Sequence, residues 1–232
     1  MSVELTAPPT NGIGRHNDEK QAQPGGLKIA AKIISYIFHP IFIPVFVLIF
    51  LIRVQPYFFI GITGLKRTFT IIQFGVMYAF FPVVTALLLK ALGFIESIFM
   101  KTQKDRIIPY VICMIYYFWV WYVIKNQNIY PAELIQFSLA IFITSILGLM
   151  SNSYMKASMH AMAVGVMAAF VVMLTIDGNI DSGAYIASAL FITGLVCTAR
   201  LIVSDHTIKE VYTGLFIGIV SMLLARYSFH FF

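Results

Sequence analysis

Apolar and polar positions in this chain come in long blocks rather than in short alternation. Seven apolar runs follow a polar start, at about 29–52, 69–92, 107–124, 133–150, 158–176, 184–203 and 210–230. A helix needs roughly 20 apolar residues to cross a bilayer, so the third and fourth runs lie at the short end. Helix is the predicted state of all seven, because lipid leaves every backbone N–H and C=O to be satisfied within its own segment. Turn-forming residues separate the runs: Gln55-Pro56, Asn126-Gln127-Asn128, Pro131 and Asp177-Gly178-Asn179. Residues 1–27 carry Pro8-Pro9, Asn11-Gly12 and Pro24-Gly25-Gly26, and are expected to form a flexible polar tail with no cleavable leader. Residues 28–232 then form one membrane domain, an all-α, multi-span transmembrane bundle of six to seven helices.

Composition supports this reading. The chain is 59% hydrophobic and only 11% charged, where soluble domains carry about 25% charged residues. Its formal charge of +6 suits an anionic ligand or anionic lipid, and equally suits loop charge that sets topology. The expected partners are the bilayer and an anionic lipid, not nucleic acid. Cys113 and Cys197 fall inside apolar runs and read as small buried hydrophobes. Trp119, Trp121, Tyr116, Tyr117 and Tyr122 crowd the third run, as aromatics that anchor a helix at the lipid interface do.

Three polar clusters interrupt the pattern: Lys101-Thr102-Gln103-Lys104-Asp105-Arg106, Lys156-Ala157-Ser158-Met159-His160, and the stretch from Arg200 to Glu210. Two predicted spans separate the first from the second, and two more the second from the third. An even number of crossings returns the chain to the same side, so all three are predicted to meet at one membrane face. Residues His206, Glu210, Gly214 and Gly218 recur every fourth position of the last run, a stripe on one helix face. Its two glycines let another helix pack closely, which would press the His/Glu end against a neighbour.

The clusters carry the parts of a phosphoryl-transfer site. Arg106 and Arg200, with Lys104 or Lys156, concentrate positive charge, and the arginine fork matches phosphate oxygens. Ser158 and the first amides of the fifth run can add donors. His160 and His206 provide a proton carrier and a nucleophile. A carboxylate at Glu210 would hold one nitrogen of His206 and free the other to attack. The carboxylates in the clusters sit beside cations, which points to chemistry without a metal or other cofactor. Lys101 is a further candidate cation. Asp105 and Asp205 read as charge partners, His39 and His230 as interfacial or structural residues.

At this level of detail the chain resembles the type 2 phosphatidic acid phosphatase superfamily, which also includes vanadium haloperoxidases. That family's motifs are Lys-x6-Arg-Pro, Pro-Ser-Gly-His and Ser-Arg-x5-His-x3-Asp. Arg200-x5-His206-x3-Glu210 keeps the spacing of the third, with Ala199 for its serine and Glu for its Asp. Ala157-Ser158-Met159-His160 keeps the serine and histidine of the second. Arg106 stands for the arginine of the first, with its proline three residues on at Pro109 and Phe99 where the lysine is expected. His39-Pro40-x3-Pro44 is similar to the opening of a compact bacterial branch, which implies a bacterial cytoplasmic (inner) membrane.

The resemblance implies roles. His206 would attack phosphorus to form a phosphohistidine, Glu210 would orient it, and His160 would protonate the leaving oxygen. Arg106, Arg200, Lys104 and Ser158 would hold the phosphate. The implied protein is a metal-independent lipid phosphatase, acting on a lipid phosphate or an isoprenyl diphosphate. With Met159 and Glu210 in place of the usual residues, the alternative is a non-catalytic protein that binds or moves a phosphorylated lipid. No inverted repeat, isolated mid-span carboxylate or lysine deep in the last run supports a transporter or a retinal-type pump.

Overall fold

The computed structural model describes residues 24–95, 102–180, 183–203 and 206–229. Most of the expected tail, together with Lys101, Asp205 and His230, lies outside the described residues. Nine α-helices follow one another among the described residues: α1 (Gly25–Ile37), α2 (Ile43–Val54), α3 (Leu65–Gly75), α4 (Phe81–Ala91), α5 (Gln103–Asn126), α6 (Ala132–Asn152), α7 (Met159–Ile176), α8 (Gly183–Ile202) and α9 (Ile208–Phe229). No strand occurs among them. Among the described residues six helical stretches are long and apolar enough to cross a membrane: Leu65–Ala91, which joins α3 to α4, and each of α5 to α9. This is the build of a multi-pass membrane protein.

The first apolar run departs from expectation. Instead of one span it forms α1 and α2, broken at Phe38-His39-Pro40. Proline has no N–H and disfavours helix in the residue before it, so the break falls at His39-Pro40. With 12 residues, α2 reaches about 18 Å, short of the roughly 30 Å hydrocarbon core. In the second run, α3 passes into α4 through a π-helical turn, Val76–Phe80. Pro82 follows that turn, where a helical N–H would have met the Tyr78 carbonyl.

The third run is longer than its apolar residues indicate. Thr102 caps α5, its Oγ1 accepting from the Asp105 N–H at 3.1 Å. The capped turn takes Gln103 to Arg106 into a helix of 24 residues. Its start is tied to the end of α6 by a reciprocal pair: Gln103 Nε2 donates to the Asn152 carbonyl (2.9 Å) and Asn152 Nδ2 to the Gln103 carbonyl (2.8 Å).

Most of α7 is buried, and it packs against α9 and α8, while α9 also packs on α6. Glycine makes the α7–α9 approach possible, as the spacing predicts. A methyl group on Gly214 would stand 2.5 Å from the Ser158 carbonyl oxygen, and one on Gly165 would stand 2.6 Å from that of Leu215. At the other end, Arg226 grips Asp177 with two hydrogen bonds of 2.5 Å. Trp119 and Tyr122 face outward, as expected of lipid-facing aromatics, whereas Trp121 turns into the core.

Candidate active site

The three polar clusters meet. Arg106 Nη1 donates to the Ala157 carbonyl at 3.0 Å, joining the first cluster to the second. The Ser158 N–H donates to the Glu210 carbonyl at 3.0 Å, and His206 Nδ1 lies 3.1 Å from the Lys156 carbonyl, joining the second to the third. The parity expected from the sequence thus brings Arg106, Ser158, His160, Arg200, His206 and Glu210 to one end of the bundle. The first turns of α5, α7 and α9 lie there, and helix N-termini favour negative charge.

His206 is positioned differently from expectation. It precedes α9 instead of sharing a helical face with Glu210, because Thr207 caps the helix. The Thr207 N–H donates to Glu210 Oε2 (2.9 Å), and the Glu210 N–H donates to Thr207 Oγ1 (3.3 Å). This is a capping box, legible in the sequence as Thr207-x-x-Glu210 and missed there. The same carboxylate oxygen lies 3.3 Å from His206 Nδ1. The extra methylene of glutamate relative to aspartate therefore serves two partners, the helix cap and the imidazole.

The hydrogen bonds also fix the tautomer. A carbonyl and a carboxylate can only accept, so Nδ1 carries the proton toward Lys156 and Glu210, and Nε2 keeps its lone pair. Burial first, then the charges of Arg106 and Arg200, pull the imidazole from 6.5 down to about 4, against the opposing pull of Glu210. At neutral pH the ring is therefore neutral. Arg106, Arg200 and His206 are all buried, at 6%, 9% and 9% exposure. Cations held out of water beside a neutral imidazole make a site suited to an anion.

His160 sits in the first turn of α7 with Nε2 3.1 Å from the Ser35 carbonyl. By the same logic Nε2 carries the proton there, and Nδ1 is the nitrogen left to exchange one. Ser158 is fully buried, and its Oγ accepts from the Ala161 N–H at 3.4 Å as the cap of α7. Met159 occupies the first helical position with no left-handed backbone; among the described non-glycine residues only Asn128 has a positive φ. The local backbone thus differs from one that requires glycine. Lys104 stays exposed in the first turn of α5 and makes no hydrogen bond or ion pair among the described residues.

His39, expected to be interfacial or structural, stands at the site. Its ring packs edge-on against that of His160, with centroids 5.2 Å apart. Only the His39-Pro40 pair in the sequence hinted at special use of this position. Among the described residues no group of three His, Cys, Asp or Glu side chains could hold a metal ion. No protein-family model, curated protein or solved structure significantly matches this chain.

Proposed function

We propose that this membrane protein is a phosphatase of lipid phosphates or isoprenyl diphosphates that works through a phosphohistidine on His206. The observation that carries the reading is the bonding of His206. Two acceptors hold Nδ1–H, which leaves Nε2 as a neutral nucleophile beside Arg106 and Arg200. That is the arrangement an in-line attack on phosphorus requires. A head group would bind at the cluster end of the bundle with its tails in the bilayer, which is why a lipid substrate fits better than a soluble one.

In the first step His206 Nε2 forms a bond to phosphorus, and the bond to the leaving oxygen breaks. His160, entering as the imidazolium, gives its Nδ1 proton to that oxygen. The ring of His206 becomes cationic, and Glu210 and the Lys156 carbonyl stabilise it through Nδ1–H. In the second step water attacks phosphorus, its proton passes to His160, and the P–N bond breaks to return neutral His206. Arg106 and Arg200 hold the non-bridging oxygens throughout, where fixed donors are worth most. The substrate's negative charge offsets both guanidiniums and makes an imidazolium at the site less costly.

The test is phosphate release by the purified protein from a panel of lipid phosphates and diphosphates, with chelator present, alongside His206→Ala. Release that persists in chelator and falls at least about a thousandfold in the variant supports the reading. No release from a folded protein that still binds these lipids overturns it. That outcome favours the second reading, a non-catalytic binder or mover of phosphorylated lipids. Ser158 supports this second reading, because its hydroxyl is fully buried as a helix cap instead of open to a ligand.

A further inference from the structure

The turn between α1 and α2 is the one part of this end of the bundle that neither the polar clusters nor the phosphatase reading uses. With the last turn of α1 before it, this turn makes two contacts to His160: the carbonyl of Ser35, in α1, at 3.1 Å and the ring of His39, in the turn, at 5.2 Å between centroids. His39 Nδ1 is buried and has no hydrogen-bond partner among the described residues. Buried polar atoms are nearly always paired, and an exception calls for a reason. Pro40 and Phe42 offer no side-chain polar group, and the Phe42 ring lies against His39 at 6.3 Å.

The charges around this ring favour an anion. The charge of Arg200, near the end of α8, acts on it, and the His160 ring packs on it from α7, with His206 and Arg106 beyond and Glu210 turned toward His206. Burial first and Arg200 second hold His39 down at about 4, so it is neutral at pH 7. A guanidinium among three imidazoles repels a metal cation and attracts a group such as phosphate. A phosphate oxygen would supply the partner that Nδ1 lacks, and its charge would offset Arg200.

We propose that His39 is a further binding residue of this site, a third imidazole that donates Nδ1–H to the phosphate group. The inference rests on the phosphatase reading for the identity of the anion, but it concerns binding and not turnover. It makes α1 and α2, which do not count among the six long spans, part of the site.

The experiment is calorimetric titration of the detergent-purified protein with inorganic phosphate and, in a second arm, with micelles containing phosphatidic acid. Each titration is run at pH 6 in two buffers of different ionisation enthalpy, so that proton uptake is read along with affinity. The proteins are wild type, His39→Ala and His39→Asn, the last of which keeps an N–H near the position of Nδ1. The expected result is a loss of about tenfold in affinity in His39→Ala, reduced proton uptake, and affinity largely restored in His39→Asn. The two arms tell a free phosphate from a lipid head group as the ligand. Unchanged affinity and proton uptake in His39→Ala overturn the inference and leave the phosphatase reading standing. Equal losses in both variants with lowered melting temperatures assign His39 to packing and overturn it as well. If wild type binds neither probe, there is no anion site, and both readings fall.

Discussion

His206 Nδ1 lies 3.3 Å from Glu210 Oε2, although His206 stands outside the helix that carries Glu210. The contact exists because the carboxylate folds back to cap α9 at Thr207. One side chain therefore links helix stability to the tautomer of the candidate nucleophile.

That link separates two effects by substitution. Glu210→Gln keeps an oxygen for the Thr207 N–H but removes the charge that stabilises a cationic His206. Turnover should fall by about a hundredfold, with little change in melting temperature. Glu210→Ala should also lose the carboxylate half of the capping box, while the backbone N–H at 210 keeps Thr207 Oγ1, at about 1 kcal/mol, and Glu210→Asp should be too short to serve both partners. Phosphate release and thermal melts on the same preparations check all three.

Acid should destabilise the protein in a defined window. The folded protein holds His206 down at about 4, whereas the unfolded chain takes up the proton near 6.5. The unfolded state therefore binds more protons between these values, and stability falls as pH drops from about 6.5 to 4. His39, held down in the same window, adds to this fall with the same sign. Melting temperature against pH in detergent should decline through this range, and His206→Ala should flatten the decline.

The α7–α9 seam should reject added volume. In Gly214→Ala the new methyl would stand 2.5 Å from the Ser158 carbonyl oxygen and 3.2 Å from Ala161 Cβ. Backbone must move to admit it, so a loss of about 1–3 kcal/mol is expected. The shift would fall on the Ser158 and Glu210 backbones, so activity should drop with stability. Gly194→Ala, where the methyl meets nothing within 4 Å, should be close to neutral in both measurements.

Cations in the first cluster should differ sharply. Arg106 is buried and bonded to the Ala157 carbonyl, so Arg106→Lys, which loses the planar fork, should reduce phosphate release by about a hundredfold or more. Lys104 is exposed, and Lys104→Ala should change release by less than about threefold. A loss in Lys104→Ala as large as that in Arg106→Lys would place the lysine back in the phosphate site.

The sequence by itself determined the class, six of the seven expected helical spans and the meeting of the three clusters. Lipid leaves a chain few choices: apolar run length sets each crossing, and the even count between clusters brings them to one face. Turn residues at 177–179 and the stripe ending in Gly214 and Gly218 were legible for the same reason, since each depends on near neighbours in the chain. The Thr207-x-x-Glu210 box was equally local and was overlooked, which misplaced His206 on the helix.

Only the tertiary structure decided the rest. Ser35 reaches His160 across 125 positions and Gln103 reaches Asn152 across 49, separations that carry no periodic signal. The break of the first apolar run follows locally from Pro40, but the packing of α1 on α8 has no signal in the hydrophobicity of that run. The burial of Arg106 and exposure of Lys104, two residues apart, follow from which face of α5 turns toward α6 and the Ala157 carbonyl. His39 belongs beside His160 because the first two helices fold back over the site, a placement that packing alone supplies.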